Sequence, residues 1–215
     1  DDLADRKHQC DILLDQTFGR QNKDYKALVS KDCKLLLGSQ YALLRPEFAK
    51  WRGYSLERRS NPKLKQFFIN MGGIDVVNFT ENILDELEIC NLPNDLNIIV
   101  VMGENAPHLK SIKLKADKLP YNTEIKVNVD NMAEIMANSD IAIGASGATS
   151  WERCCLGLPT IQIVIAENQK TIAKSLVKIN AIKIFQDCRK LSGIITAAKN
   201  WMVNVSDNSQ QICDG

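Results

Sequence analysis

Residues 140–159 read DIAIGASGATSWERCCLGLP, and this stretch decides the fold. It begins with a short apolar strand at 141–143, continues through small and hydroxyl residues at 144–150, and then enters a helix. A strand, a small-residue loop and a helix in direct succession are typical of an α/β protein. Gly144 and Gly147 allow a ligand to come close to the backbone of this loop.

The same loop carries donors that suit a diphosphate. Ser146, Thr149, Ser150 and the first N–H groups of the new helix can donate hydrogen bonds, and the helix end adds partial positive charge. Glu152, in the first helical turn, can accept two hydrogen bonds from a vicinal diol such as a ribose. One short segment therefore has the parts to hold a nucleoside diphosphate.

A structural interpretation of these residues stays open. Thr149 or Ser150 could serve only as the N-cap of the helix, and a glutamate such as Glu152 in a first turn stabilises a helix without any ligand. The loop lacks the G-x-G-x-x-G fingerprint of dinucleotide binding, and no G-x-x-x-x-G-K-[ST] P-loop occurs in the chain.

Composition excludes several classes of function. The 215 residues carry a net charge of +1, which argues against nucleic acid as the main partner. No apolar run is long enough to span a bilayer, and the amino terminus is not a signal peptide. The seven cysteines are scattered without a C-x-x-C pair, so we expect reduced thiols in a cytoplasm and neither a disulfide framework nor a zinc site. No other metal and no cofactor is expected.

From residue 62 onward, strand-like and helical patterns alternate. The predicted strands are 66–71, 97–102, 124–129, 140–145, 160–164 and 181–185. The predicted helices are 76–90, 107–116, 132–139, 150–156, 169–179 and 189–203. Strands such as NIIVVM are near-continuous apolar runs, as expected when both faces of a parallel sheet are covered. The alternation predicts a doubly wound α/β domain, in which ligands bind beyond the carboxyl ends of the strands.

Three loops of special composition fall at such carboxyl ends. They are Gly72-Gly73, residues 144–150 and residues 166–169. Two adjacent glycines give a tight turn with exposed N–H groups, and the last loop offers the side chains of Asn168 and Gln169. Their convergence at one edge of the sheet favours a ligand site there.

The first 60 residues follow a different pattern. They hold two short strand-like pieces, CDILLDQ and CKLLLG, and are expected to be the last elements of a first domain plus a linker. The predicted organisation is thus a remnant at 1–60 and a nucleotide-sugar-binding domain at 61–215. Residues 51–65 are charged and contain a proline, so they are predicted to be an exposed connection. The basic residues in this region are interpreted as solvated, with a contact to phosphate or to protein as the alternative. They are Arg58, Arg59, Lys63 and Lys65.

Five motifs in one order carry a family resemblance. They are DDLADRKHQCDILLDQTFGR, LLLGSQYALLRPEF, NMGGIDVVNFT, IGASGATSWERCCLGLP and IAENQ. Together they resemble the UDP-sugar hydrolases of pseudaminic acid biosynthesis, which release UDP from UDP-2,4-diacetamido-2,4,6-trideoxy-β-L-altropyranose. The later part is similar, more distantly, to the carboxyl-terminal domain of the GT-B transferase that makes lipid II.

The resemblance implies a GT-B architecture with the UDP-sugar in an interdomain cleft, and metal-independent attack of water with inversion. The family's proposed base is a histidine in a glycine-rich loop that would precede Asp1. His8 does not match that loop, and neither it nor His108 is expected to be catalytic. The resemblance therefore implies that this chain binds UDP but contributes no catalytic base.

Binding roles carry over where the motifs match. The resemblance implies that Glu152 binds the ribose hydroxyls and that Gly72 and Gly73 face the sugar and phosphate across the cleft. Val129 would lie where backbone groups recognise uracil. The diphosphate loop would be Ser146, Gly147, Ala148, Thr149 and Ser150. Asn168 and Gln169 would be sugar-side contacts. Two departures from the family pattern are Thr17, where asparagine is expected, and Ile74, where serine is more usual.

Two other functions share these features. A UDP-sugar-dependent glycosyltransferase would use the same cleft and the same glutamate. A sugar-nucleotide-binding module without turnover would also need only the binding residues. The sequence does not define an oligomeric state.

Overall fold

The computed structural model describes residues 1–90, 92–165 and 169–185. The first part forms a two-stranded parallel sheet from β1 (Ile12–Asp15) and β2 (Lys34–Leu37), joined through the short helix α1 (Asn22–Tyr25). A 3-10 turn (Ser39–Tyr41) and helix α2 (Pro46–Arg59) lead from it into the main sheet.

The main sheet has six parallel strands in the order β5-β4-β3-β6-β7-β8. The strands are β3 (Gln66–Asn70), β4 (Asn97–Met102), β5 (Asn122–Val127), β6 (Ile141–Ala145), β7 (Thr160–Ile163) and β8 (Ile182–Phe185). The helices are α3 (Phe79–Ile89), α4 (Leu109–Ala116), α5 (Met132–Ala137), α6 (Thr149–Cys155) and α7 (Gln169–Lys178). The predicted doubly wound α/β fold is confirmed.

Both faces of this sheet are buried, which explains the continuous apolar strands. Successive residues of a strand point to opposite faces, so Phe67 packs in a core beneath α3 and α4, whereas Phe68 packs with α5 and the end of α6. Both phenylalanines are fully buried. The carboxyl ends of parallel strands lie at one edge of the sheet. Because β3 and β6 are neighbours, the loops that follow them begin side by side.

The predicted exposed connection at 51–65 is wrong for its first half, because residues up to 59 belong to α2. Pro46 occupies the first turn, where proline is tolerated. Phe48 is fully buried, and the buried Ser55 hydroxyl donates to the carbonyl of Leu156 at 2.7 Å. The buried face of this helix is partly polar, so its residues do not form the apolar pattern by which a helix is predicted from sequence.

The interpretation of Arg58 and Arg59 as solvated is also wrong. Arg58 forms an ion pair with the buried carboxylate of Asp140. Arg59 is buried and donates to the carbonyl of Met136, in the last turn of α5, at 3.1 Å and to that of Ser139, just beyond the helix, at 2.8 Å. Guanidinium groups thus fasten α2 to the main domain. Lys63 and Lys65 are exposed, as predicted.

Helix α3 begins three residues later than the predicted 76. Asp75 is buried and accepts hydrogen bonds from the N–H groups of Phe79 and Thr80, at 3.0 and 2.8 Å, so its carboxylate satisfies the first turn. Asn78, immediately before the helix, has a left-handed φ of 63°. The predicted helix at 189–203 lies outside the described residues. Among the described helices, none has the length and apolar character needed to cross a bilayer.

Candidate functional site

A buried arginine supports the loop that follows β6. Arg153, on α6, is 1 % exposed, and its guanidinium donates to the carbonyl of Ala145 at 2.8 Å and to the hydroxyls of Thr149 and Ser150 at 3.1 and 3.3 Å. Burial lowers the pKa of Arg153 to about 10. The charge therefore lies directly beneath residues 145–150 and fixes their course.

Gly144 makes room for this arginine. A Cβ at Gly144 would lie 2.7 Å from Nη1 of Arg153 and 2.9 Å from the carbonyl oxygen of Asn70 on β3. The backbone oxygen cannot move without disturbing the sheet. Gly144 is thus required by internal packing, whereas the space around Gly147 is open.

The hydroxyls of Ser146 and Ser150 point into the protein. Both residues are fully buried. The Ser146 hydroxyl donates to Oε1 of Gln162 on β7, and Nε2 of Gln162 donates to the Ser150 hydroxyl at 2.8 Å. These serines therefore hold the loop against β7.

Backbone donors remain on the outer side of the loop. The N–H groups of Gly147, Ala148 and Thr149 donate no hydrogen bond to any residue that the structure describes. Ala148 is exposed, and its neighbours Gly147 and Thr149 are partly exposed. The N-cap position is Ala148, without a side-chain cap, so the capping interpretation of Thr149 and Ser150 is wrong. Three consecutive unpaired N–H groups are an anion-binding arrangement.

Glu152 lies one turn further along α6 and is partly buried. Burial raises the pKa of its carboxyl; the positive charges of Arg45 and Arg153 oppose the shift, and Glu47 adds to it. Within the described part of the chain, no group donates a hydrogen bond to this carboxylate. Glu152 is therefore a partly buried acceptor to which no described residue donates.

The glycine pair at the end of β3 is held by a third glycine. Gly72 has a left-handed φ of 94°. The N–H of Gly103, which follows β4, donates to the carbonyl of Gly73 at 2.9 Å, and a Cβ at Gly103 would collide with that carbonyl oxygen. Gly103 is not among the residues predicted from the sequence, although it directly follows the apolar strand NIIVVM. Ile74 comes next and is 56 % exposed.

The remaining predicted residues occupy different positions along the same edge. Val129 lies beyond β5 and packs against the core that contains α5. Gln169 begins α7, and its Oε1 accepts from the N–H of Ile165 at 3.1 Å. Asn168 lies outside the described residues.

One cavity of about 160 Å³ lies between part of the predicted site and the amino-terminal residues around β1. Its lining residues are Asp2, Gln16, Thr17, Ser146, Gly147, Ala148, Gln169 and Ile172. Neither histidine is among them: His108 precedes α4, and the side chain of His8 lies 3.2 Å from Asp1. In the parts of the chain that the structure describes, no group of three or more metal-ligating side chains occurs.

Residues 68–211 match the family described as glycosyltransferase family 28 C-terminal domain. The chain belongs to this family. The match begins within β3 and includes the loop at 146–150, whereas Asp2, Gln16 and Thr17 in the cavity wall precede it.

Two curated relatives carry informative names. A Campylobacter jejuni protein named UDP-2,4-diacetamido-2,4,6-trideoxy-beta-L-altropyranose hydrolase is 31 % identical over 173 residues, which cover 80 % of this chain and 59 % of the relative. The Bacillus subtilis spore coat polysaccharide biosynthesis protein SpsG is 26 % identical over 151 residues, which cover 70 % of this chain and 43 % of SpsG. The chain thus spans about half the length of these relatives.

Solved structures share the fold of this family 28 domain. Acinetobacter baumannii MurG has a TM-score of 0.66 at 20 % identity, with 93 % of this chain and 61 % of MurG covered. The lipopolysaccharide glycosyltransferase WaaG has a TM-score of 0.61 at 14 % identity, with coverage of 94 % and 58 %. These similarities place the fold in the GT-B class.

Proposed function

We propose that this chain is the nucleotide-binding part of a GT-B enzyme that hydrolyses UDP-2,4-diacetamido-2,4,6-trideoxy-β-L-altropyranose and releases UDP. The observation that carries the proposal is the run of three N–H groups at Gly147, Ala148 and Thr149 that donate to no described residue, in the loop after the central strand β6. The name of the Campylobacter jejuni relative supports the choice of substrate.

In this proposal the diphosphate rests on those three N–H groups. The buried guanidinium of Arg153 lies beneath the loop and adds positive potential, while Glu152 accepts hydrogen bonds from the ribose hydroxyls. Val129 would face the uracil. Gly72 and Gly73 would face the sugar and phosphate across the cleft. Residues 61–215 would hold the nucleotide, and residues 1–60 would supply a wall of the cleft next to the sugar.

A glycosyltransferase is the second candidate, because the family match is to a glycosyltransferase domain. It would use the same UDP-binding residues and differ only in what attacks the sugar. The assay uses the whole enzyme of which this chain would be the nucleotide-binding part. UDP release from the UDP-sugar in water alone supports the hydrolase, whereas release that requires an added acceptor supports the transferase.

Titration calorimetry with UDP in the presence of a chelator tests the proposal. We expect binding without any divalent metal, since the donors for the diphosphate are N–H groups. Ala148→Pro removes one of these N–H groups, and the φ of −55° at Ala148 suits proline. This variant is expected to bind UDP about 1.5–3 kcal/mol more weakly, the range for hydrogen bonds to charged groups.

Ala148→Ser is the matched control, since it keeps the N–H and should bind UDP as the wild type does. Wild-type binding that appears only with magnesium or manganese would contradict the proposal. Unchanged UDP affinity in Ala148→Pro would show that the loop does not hold the phosphates.

Glu152→Gln is expected to weaken UDP binding by about 1.5–3 kcal/mol and to leave the melting temperature at pH 7 unchanged or higher. The neutral amide avoids the desolvation that raises the carboxyl pKa. Because the folded pKa lies above the unfolded value of about 4.3, the wild type should lose stability as pH rises through this window, and the variant should not.

Calorimetry and thermal unfolding from pH 4 to pH 8 measure both effects. Glu57→Gln, at an exposed glutamate on α2, is the control and should change neither. If Glu152 served only to stabilise α6, its replacement would lower stability and leave UDP affinity unaltered.

A further inference from the structure

Two cysteine thiols lie next to each other at one end of the amino-terminal sheet. Cys10 comes two residues before β1, and Cys33 directly precedes β2. The two strands are parallel, and their pairing begins at Ile12 and Lys34. Both cysteines therefore lie at the amino ends of neighbouring strands. Their Sγ atoms are 3.7 Å apart, and both thiols are free.

The backbone holds the two cysteines at a separation that a disulfide can bridge. The N–H of Lys34 donates to the carbonyl of Asp11 at 2.8 Å, which joins the residues that follow the two cysteines. Neighbouring strands are about 4.8 Å apart, and a disulfide joins Cα atoms about 4.4–6.8 Å apart. An S–S bond is about 2.05 Å long, so each sulfur needs to move by less than about 1 Å.

Both thiols border the small core of the amino-terminal sheet, which is formed by Leu13, Tyr25 and Leu37. Cys10 and Cys33 are nevertheless partly exposed to solvent. The other cysteines that the structure describes are buried, and they are Cys90, Cys154 and Cys155. Among the described cysteines, a small oxidant in solution therefore meets this pair first.

The electrostatic surroundings make Cys33 a slow nucleophile. Desolvation raises the pKa of its thiol, and the neighbouring Cys10 and the charge of Asp11 add to this shift. The thiolate is the reactive form in disulfide exchange, so the reaction at neutral pH should be slow. A thiol with a raised pKa is also a poor leaving group. A bridge at this position is therefore expected to open slowly once it has formed.

We propose that Cys10 and Cys33 form an oxidative modification site, at which a low-molecular-weight disulfide converts the two thiols into an intramolecular disulfide. One protein thiolate attacks the small disulfide, which forms a mixed disulfide and releases the first small thiol. The second protein thiolate then attacks the protein sulfur of that mixed disulfide and releases the second small thiol. Two electrons and two protons thus pass from the protein to the small disulfide.

The bridge would stabilise the amino-terminal sheet without changing the nucleotide site. It would close the chain from residue 10 to residue 33, which contains β1 and α1. Two strands alone are marginally stable in water, and a disulfide adds stability mainly by restricting the unfolded chain. Thr17, in the wall of the cavity beside the proposed diphosphate loop, follows the opposite end of β1. The modification therefore does not depend on the proposed function.

Incubation of the whole chain with oxidised glutathione, followed by alkylation and peptide mapping without reductant, tests the proposal. We expect a linked pair of peptides that contain Cys10 and Cys33, and we expect dithiothreitol to separate them. The oxidised protein should melt about 4–10 °C higher than the reduced protein. Its affinity for any nucleotide that the reduced protein binds should stay within about twofold.

Cys10→Ser and Cys33→Ser each leave one thiol of the pair. In both variants the remaining cysteine should carry glutathione as a mixed disulfide, and oxidation should not raise the melting temperature. The reduced variants should melt within about 2 °C of the reduced wild type, because both positions are partly exposed. Cys90→Ala is the matched control, since it removes a different thiol and should form the bridge as the wild type does.

The peptide map distinguishes the proposal from other oxidation products. Glutathione adducts on both Cys10 and Cys33 of the wild type would show that the two sulfurs do not meet. A bridge from either residue to a different cysteine would equally overturn the assignment. A bridge between Cys10 and Cys33 without a rise in the melting temperature would overturn the stabilising role of the modification.

Discussion

Replacement of Asp15 by alanine is expected to lower the free energy of unfolding by about 3–5 kcal/mol, because it leaves a buried guanidinium without its partner. Asp15 is fully buried and forms an ion pair with Arg20, whose side chain is 11 % exposed. The carboxylate also accepts the N–H of Thr17 at 2.8 Å and the hydroxyl of Tyr25 at 2.7 Å. No other described residue forms an ion pair with Arg20.

The same network predicts a pH dependence. Burial tends to raise the pKa of Asp15, but hydrogen bonds from Thr17 and Tyr25 and the charge of Arg20 outweigh it and hold the pKa below its usual value. A depressed folded pKa contributes stability above the unfolded pKa of about 3.9, and this contribution is lost as pH falls through the folded pKa. Asp15→Ala should lack this acid-dependent loss.

Urea unfolding of wild type and variant at pH 7 and at pH 3 measures both quantities. Asp11→Ala, at an exposed residue immediately before β1, is the matched control and should lose less than about 0.5 kcal/mol. A similarly small loss in Asp15→Ala would contradict the role assigned to the network. A loss of the same size at both pH values would contradict the depressed pKa.

The sequence predicted the main sheet because its strands carry their own signal. A parallel strand covered on both faces is apolar at every position, and NIIVVM or TIQIVI satisfies this condition without reference to any distant residue. The edge of the sheet at which the proposed ligand site lies could also be predicted, since the carboxyl ends of parallel strands lie at one edge. Small residues at 144–150 then marked one loop at that edge.

Helix α2 escaped prediction because its buried face is not apolar. Ser55 and Arg59 lie one turn apart on that face, and both bury their polar groups against carbonyls of α5 and α6. Such a face becomes favourable only when the carbonyls of another helix end are in place. A pattern of hydrophobicity along the sequence carries no information about these partners.

The direction of the loop hydroxyls was not predictable for a related reason. Ser146 and Ser150 look like ligand donors in sequence, but Gln162 lies on the neighbouring strand β7 and binds both of them. Gly144 likewise suggested close approach of a ligand, whereas its missing Cβ accommodates Arg153. Strand pairing determines these contacts, and among the described residues only the N–H groups of residues 147–149 have no partner within the loop and its neighbours.

Arg153→Met is expected to weaken UDP binding by at least about tenfold, because the loop loses the group that fixes its course. The carbonyl of Ala145 and the hydroxyls of Thr149 and Ser150 each lose a donor. A buried acceptor left unsatisfied costs about 1–3 kcal/mol, whereas removal of a buried charge recovers part of its desolvation cost. We therefore expect a net loss of about 2–4 kcal/mol in the free energy of unfolding.

Arg6→Met, at an arginine whose side chain is 64 % exposed, is the control for loss of positive charge and should change neither quantity. Arg153→Lys separates charge from geometry: a single ammonium cannot reproduce the forked contacts of a guanidinium. If Arg153 acts by positioning, the lysine variant should bind UDP nearly as poorly as the methionine variant. UDP affinity close to wild type in Arg153→Lys would instead assign the effect to charge beneath the loop, and wild-type affinity in Arg153→Met would overturn both explanations.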